Sequence, residues 1–148
     1  MGINVDTRVE KNVDAAEGVT EGTKKAMRDA ADVGFGVSQN KVPHGADSTL
    51  ANSGFAPEWR GENRVVWGYA ATYAEYVEKG TSAHYPPIEP LKKWARRVLG
   101  DEGAAYAVQQ KIGQEGTDAQ PFIEPGAQRQ ARYLTGLGID TYIARELE

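Results

Sequence analysis

The residues best suited to chemistry in this 148-residue chain lie close together, in the stretch YAEYVEKGTSAHYPP at positions 73–87. Its carboxylates, histidine and hydroxyl groups are side chains that transfer protons in enzymes. Acid–base catalysis by Glu75 and Glu78 would need one of them buried with a raised pKa, whereas this spacing is more typical of solvated groups or of partners for a cation. A triad of Ser82, His84 and an acid can be drawn, but no nucleophile-elbow sequence supports it. We therefore predict no catalytic residues and no enzymatic activity.

Sites for metal ions and nucleotides are not indicated either. His44 and His84 each lack an HxxxH or HExxH partner, so a zinc site would need distant carboxylates. The chain has no cysteine, which excludes disulfides and cysteine-ligated zinc. The GFG and GLG segments lack the spacing and the preceding strand that phosphate binding requires. We predict no metal and no cofactor.

The composition is that of one soluble globular domain spanning residues 1–148. Hydrophobic residues make up 40% and charged residues 26% of the chain. The net charge of −4 disfavours a general polyanion binder, although it leaves room for a local basic face. Because no apolar run reaches signal-peptide length or the ~20 residues of a membrane span, we expect no membrane contact and no export.

The first third of the chain predicts a long helix followed by a long loop. Small and apolar residues recur at three- and four-residue steps over residues 8–33. Gly18 and Gly22 each cost about 1 kcal/mol relative to alanine, so this helix must pack against a neighbour, either its own core or another subunit. Residues 34–54 are rich in Gly, Ser, Asn and Pro and are expected to form a functional or mobile loop.

Residues 55–131 are predicted to form a core of sheet and helices. The predicted elements are a hairpin of strands at 55–59 and 64–70, helices at 88–99 and 102–113, and a C-terminal tail segment at 132–148. The order indicates an α+β fold, with a long N-terminal helix and further helices packed on a small antiparallel sheet and a long loop before the first strand.

The helix predicted at 88–99 carries a stripe of cations opposite its apolar face. The apolar positions are Ile88, Leu91, Ala95 and Val98, and the basic stripe consists of Lys92, Lys93, Arg96 and Arg97. At about 100° per residue, Lys93, Arg96 and Arg97 should face outward and Lys92 should lie toward one flank. Like charges at i,i+4 destabilise an isolated helix. The stripe is thus an electrostatic interface for an acidic subunit surface such as Glu146 and Glu148, or for DNA, or it is a solvated face.

Three segments in order, YAEYVEKGT, PLKKWARR and GTDAQPFIEPG, resemble the neck proteins of long-tailed double-stranded DNA viruses, the head–tail joining or tail-completion family. In that family a YA-x-Y-V-E-x-G-T turn precedes a PF-[IL]-x-P segment that opens a helix; Pro121, Phe122 and Pro125 match it here. Upstream, VPHGADSTLANS is similar to the family's loop before its first strand. The resemblance covers residues 41–131, and the insertion at 88–113 is longer than in the shortest members.

The resemblance gives the first segment a structural role as a packing corner. This corner motif comprises Tyr73, Tyr76, Val77, Glu78, Gly80 and Thr81. Tyr73, Tyr76 and Val77 are expected to hold a short helix against the sheet. Glu78 is expected to meet a cation or a backbone donor, and Gly80 to adopt the positive φ that ends the turn.

The resemblance implies a virion protein of the head–tail neck, assembled in the host cytoplasm. It would form a homo-oligomeric ring, with a hexamer favoured, that joins portal-complex, tail-tube and neighbouring neck proteins while double-stranded DNA passes through its lumen. Residues 34–54 and 140–148 are candidates for adaptive contacts. The alternatives are a small nucleic-acid-binding accessory protein that uses the basic helix 88–99 and, less favoured, a hydrolase that uses His84.

Overall fold

A computed structural model describes residues 2–8, 17–45 and 47–136, with side chains from residue 21 onward in the second range. The elements of this part, in order, are β1 (Ile3–Arg8), α1 (Glu17–Lys41), α2 (Thr49–Asn52), β2 (Gly54–Trp59), β3 (Arg64–Tyr69), α3 (Ala74–Lys79), α4 (Ile88–Val98), α5 (Ala104–Glu115) and α6 (Ile123–Gly136). The predicted α+β fold, with helices on a small antiparallel sheet, is confirmed.

The sheet has three antiparallel strands in the order β1-β3-β2. The central strand reads RVVWGY, a continuous apolar run that suits a strand with neighbours on both edges, and it is buried from its second residue onward. The predicted hairpin of β2 and β3 is confirmed, with a register shift between Phe55 and Glu58 around Pro57. Pro57 lies on an edge strand, where its missing N–H breaks no central ladder. Strand β1 was not predicted. Its residues, INVDTR, alternate between half-buried and exposed in the structure, as is usual for a strand with one face on the core.

The predicted limits of the first helix and of the loop were wrong. Arg8 belongs to β1, and α1 continues to Lys41, so residues 34–41 are helical and α2 occupies part of the remaining stretch. Positions 9–16 of the predicted helix lie outside the described residues. Gly34 is needed where α1 crosses α6, because a Cβ there would lie 2.9 Å from the Gly126 carbonyl oxygen. The glycine that suggested a loop therefore permits two backbones to approach closely.

Helices α1 and α6 pack against each other and cover the same face of the sheet. Trp67 and Tyr69 of β3 are fully buried beneath them. The indole N–H of Trp67 donates to Gln130 Oε1 at 2.8 Å, and the Tyr69 hydroxyl pairs with Ser38 Oγ at 3.0 Å. These hydrogen bonds offset the cost of burying polar atoms. Strand β3 therefore ends on a rigid core, directly before the corner motif.

Helices α4 and α5 form a helical hairpin that is attached to the core at a narrow base. Thr81 and Thr117 exchange backbone hydrogen bonds of 3.0 and 3.1 Å across that base. The predicted helix at 88–99 is confirmed, but α5 passes through Gly113 and ends at Glu115. Gly116 supplies the positive φ of 76° that stops it, while Gly113 leaves space for the ring of Tyr85. Within the described ranges, no helix is long and apolar enough to cross a membrane.

Candidate interaction site

The corner motif is built around the six-residue helix α3 and the glycine that ends it. Gly80 has φ 71° and ψ −179°, so the predicted positive φ is confirmed. A Cβ at this position would lie 2.5 Å from the Thr117 carbonyl oxygen and 2.7 Å from the Ala119 amide nitrogen. Both the dihedral angle and the lack of space therefore require glycine here. Thr81 follows and pairs its Oγ1 with that of Thr117 at 2.9 Å.

Glu78 caps the N-terminus of α6. Its Oε2 accepts hydrogen bonds from the backbone N–H groups of Phe122 and Ile123 at 2.7 and 2.8 Å, and its Oε1 accepts one from Glu124 at 2.8 Å. The first N–H groups of a helix have no intrahelical acceptor, and a carboxylate at this end also interacts favourably with the helix dipole. The expectation that Glu78 meets a backbone donor is confirmed. Its oxygens are engaged in holding α6 in place.

The PF segment opens α6, as the resemblance implied. Phe122 is fully buried and packs edge-on against Tyr69, with ring centroids 4.9 Å apart. Helix α6 begins at the next residue, Ile123. Pro125 falls in its first turn, where a missing backbone N–H breaks no intrahelical hydrogen bond. Pro121 is exposed and precedes the turn.

Tyr76 does not hold α3 against the sheet as predicted, and Tyr73 does so at most in part. Tyr76 is 63% exposed and Tyr73 is 41% exposed, although burial still raises the pKa of Tyr73. Ala74 and Val77 make the packing contacts instead. In a helix, residues three and four apart share a face, so 74, 77 and 78 face the core together. Tyr73 and Tyr76 therefore lie on an outer surface of the protein.

The two histidines contact groups of their own loops. His84 Nδ1 lies 3.0 Å from the backbone carbonyl oxygen of Ser82 and 3.4 Å from Thr81 Oγ1. The contact thus involves the backbone carbonyl of Ser82, and it does not activate the Ser82 hydroxyl as a nucleophile. His44 Nδ1 pairs with Ser48 Oγ at 3.3 Å, in a separate loop. No group of three His, Cys, Asp or Glu side chains suited to a metal ion occurs in the described ranges.

A groove runs between the helical hairpin and the corner motif. It consists of two cavities of about 680 and 540 Å³ that share Tyr73, Val77 and Gln120. We call this continuous surface the hairpin groove. Its first part is lined by apolar and aromatic side chains, among them Tyr76, Pro86, Leu91 and Ile112. Its second part is lined by Pro43, Leu50, Trp94, Asp47, Lys93 and Arg97 among others. The exposed tyrosines of the corner motif therefore form part of a concave apolar surface.

Ion pairs within the chain engage most of the basic stripe. Lys92 pairs with Glu89 at 3.1 Å, which raises the pKa of the lysine, Arg96 pairs with Glu102, and Arg97 Nη1 lies 3.4 Å from Asp47 Oδ2. Lys93 forms no hydrogen bond or ion pair in the described part of the chain. The predicted outward direction of Lys93, Arg96 and Arg97 is confirmed. Two of these acidic partners were not predicted because they lie outside α4: Asp47 is in the loop before α2, and Glu102 is just before α5.

The apolar face of α4 is less buried than predicted. Val98 was placed inward but is 47% exposed, and Leu99 is 51% exposed, whereas Ala95 is fully buried. The hairpin stands away from the sheet, so its tip has no core to cover it. Val98 and Leu99 therefore form a second exposed apolar surface, at the tip of the helical hairpin.

Comparisons with known proteins gave no significant match to a family model, to a curated protein or to a solved structure.

Proposed function

We propose that this protein is a structural virion protein of the head–tail neck of a long-tailed double-stranded DNA virus. In this role it forms a homo-oligomeric ring, with a hexamer favoured, through which the genome passes. Its partners are neighbouring neck, portal-complex and tail-tube proteins. It is assembled in the host cytoplasm and acts in the virion, in tail completion and head–tail joining.

The capping of α6 by Glu78 is the observation that carries this proposal. The YAEYVEKGT and PFIEP segments on which the family resemblance rests are some forty residues apart in sequence, and this carboxylate joins them through three hydrogen bonds. Gln120 N–H also donates to the Val77 carbonyl oxygen at 2.9 Å. A motif whose carboxylate binds backbone amides supports a structural role in preference to a catalytic one.

Exposed apolar side chains support association with protein partners. The large side chains that remain exposed lie mainly on the helical hairpin and the corner motif: Tyr73, Tyr76, Tyr85, Val98, Leu99 and Tyr106. Tyrosine is enriched in protein interfaces because its ring buries a large area and its hydroxyl keeps a hydrogen bond. A ring presents such surfaces to its own subunits and to the adjoining layers of the neck.

The nucleic-acid-binding alternative has less support. Binding to phosphates needs cations that are free to replace condensed counterions. In the described structure, three of the four cations in the basic stripe already contact carboxylates, and only Lys93 is unpartnered. The whole chain also has a net charge of −4.

Native mass spectrometry combined with DNA-binding measurements distinguishes the two functions. The full chain should form a closed oligomer of defined copy number in the absence of DNA. Its affinity for a labelled DNA duplex should be weak, and the oligomer should persist as salt is raised. A chain that stays monomeric and binds DNA with a steep salt dependence would overturn the neck proposal and favour the accessory protein.

A further inference from the structure

We propose that the hairpin groove binds residues 137–148 of a second copy of this chain, so that neighbouring subunits are linked by this segment. The inference rests on the self-association in the proposed function and adds the surface and the occupant of the contact. Three independent features carry it: the apolar match, the charge match and the distance that the segment would need to cover.

The first feature is the apolar character of both surfaces. The segment reads LGIDTYIARELE and contains Leu137, Ile139, Tyr142, Ile143 and Leu147. Their three- and four-residue spacing from position 139 onward is the pattern of a peptide that presents one apolar face to a groove. The first part of the hairpin groove offers apolar and aromatic walls, including Leu91 and Ile112. Removing both surfaces from water is favourable by the hydrophobic effect.

The second feature is charge. The segment carries Asp140, Glu146 and Glu148 against a single cation, a net charge of −2. In the second part of the groove, Lys93 and Arg97 line the wall with Asp47 as the carboxylate among the lining residues, and Lys93 has no partner in the described part of the chain. Complementary charges fix the direction in which a peptide lies in a groove. The acidic end is therefore placed beside α4 and the apolar positions beside the corner motif.

The third feature is distance, and it favours a second copy over the chain's own segment. Helix α6 begins at the groove, where Glu78 caps it and the nearby Gln120 forms part of the lining. Its 14 residues place its other end about 20 Å away at 1.5 Å per residue. Returning over that distance would consume roughly six extended residues. Half of the segment would then cross open surface, including three of its apolar residues, whereas the groove of a neighbour can receive all of it.

Disulfide cross-linking tests the inference cleanly, because the chain has no cysteine of its own. Ser82→Cys introduces a thiol in the groove, and Thr141→Cys introduces one between apolar positions of the segment. Each variant is purified alone, the two are mixed and oxidised, and cross-linked peptides are identified by mass spectrometry. We expect a Ser82–Thr141 cross-link between two chains. Gly36→Cys is the control position outside the groove, since it lies on α1 with nothing within 4 Å of its Cβ, and it should give no such cross-link with Thr141→Cys.

A charge exchange tests the acidic end separately. Lys93→Glu should raise the subunit dissociation constant roughly three- to tenfold, and adding Glu146→Lys should restore it at least in part. Circular dichroism confirms that each variant is folded, which is expected because Lys93 is exposed. Loss of association without any rescue would contradict the assigned direction of the segment.

The cross-linking outcomes separate this inference from the proposed function. Closed oligomers that give no cross-link between the groove and the segment would overturn the inference and leave the ring proposal standing. A disulfide formed within one chain carrying both cysteines, in place of the link between chains, would overturn it in favour of the chain's own segment. Monomers at every protein concentration would overturn both proposals.

Discussion

Removing the Glu78 carboxylate should destabilise the protein more than any other single substitution in the corner motif. Glu78 is 7% exposed and accepts hydrogen bonds from three backbone N–H groups, two of them on the buried residues Phe122 and Ile123. Each buried donor that is left without an acceptor costs about 1–3 kcal/mol. The three terms are not additive, and water can replace part of the carboxylate. We therefore expect Glu78→Ala to lower the free energy of unfolding by about 3–5 kcal/mol.

That loss is large against the whole stability of a domain, which is about 5–15 kcal/mol. At roughly 2–4 °C per kcal/mol for a chain of this length, the melting temperature should fall by roughly 10 °C. Glu78→Gln keeps one acceptor oxygen and places an amide near the N–H groups, so it should lie between the wild type and Glu78→Ala. Urea unfolding followed by tryptophan fluorescence, to which the buried Trp67 contributes, measures all three proteins.

Glu75→Ala provides the matched control, since it removes a carboxylate of the same helix that is exposed and pairs with Lys79. Its unfolding midpoint should stay close to that of the wild type, because exposed ion pairs contribute little. If Glu78→Ala and Glu75→Ala unfold at the same urea concentration, the capping of α6 by Glu78 does not organise the corner motif.

Three further comparisons, made with five substitutions, test the turn at Gly80, the helix crossing and the sheet. Gly80→Ala should lower the free energy of unfolding by about 2 kcal/mol more than Gly100→Ala does. Both glycines have φ 71°, but only a Cβ at Gly80 would lie within 2.5 Å of a backbone atom. Equal losses of stability in urea would contradict this clash. Gly126→Ala should destabilise the crossing of α1 and α6, whereas Gly36→Ala on the open face of α1 should be neutral or stabilising in the same assay. A hydrogen bond from Arg64, on the neighbouring strand, lowers the pKa of Asp6. The Asp6 carboxylate should therefore stabilise the protein near neutral pH, and this contribution should disappear as the pH falls through the pKa of Asp6 in the folded state. A stability difference between wild type and Asp6→Asn that persists in acid would contradict this.

The sequence predicts those elements whose periodicity and turn residues agree. Helix α4 was placed within one residue because its apolar spacing continues up to Gly100, which has the positive φ expected after a helix. The β2–β3 hairpin was found from its aromatic and β-branched strands. The end of α3 followed from Gly80 for the same reason as at Gly100. In each case a local rule and the tertiary structure favour the same conformation.

The elements that were missed depend on contacts between distant residues. Residues 34–54 were predicted to be a loop from their Gly, Ser, Asn and Pro content, but at Gly34 the crossing with α6 requires a residue without a side chain, and this requirement is not visible in a local window. Gly113 likewise leaves space for Tyr85 and does not end α5. Tyr76 was expected from the resemblance to hold α3 against the sheet, yet it is the face of α3 that includes Ala74 which reaches the core.

Part of the candidate site was also predictable. A backbone donor for Glu78 and a helix opened by the PF segment were both expected, but the hydrogen bonds that join the two were not. The hairpin groove was not foreseen, because it forms only where the helical hairpin stands beside the corner motif. Similarly, the pairing of Arg97 with Asp47 joins residues 50 positions apart, which charge patterning along one helix does not show.

Electron microscopy of the purified full chain shows whether this protein is a ring-forming structural component. We predict closed rings of a single copy number with a central opening, formed without DNA and without any cofactor. Their copy number should agree with the native mass, with six subunits favoured. Monomers or open, irregular aggregates at all protein concentrations, from a chain that is folded by circular dichroism, would show that the protein is not a ring-forming component.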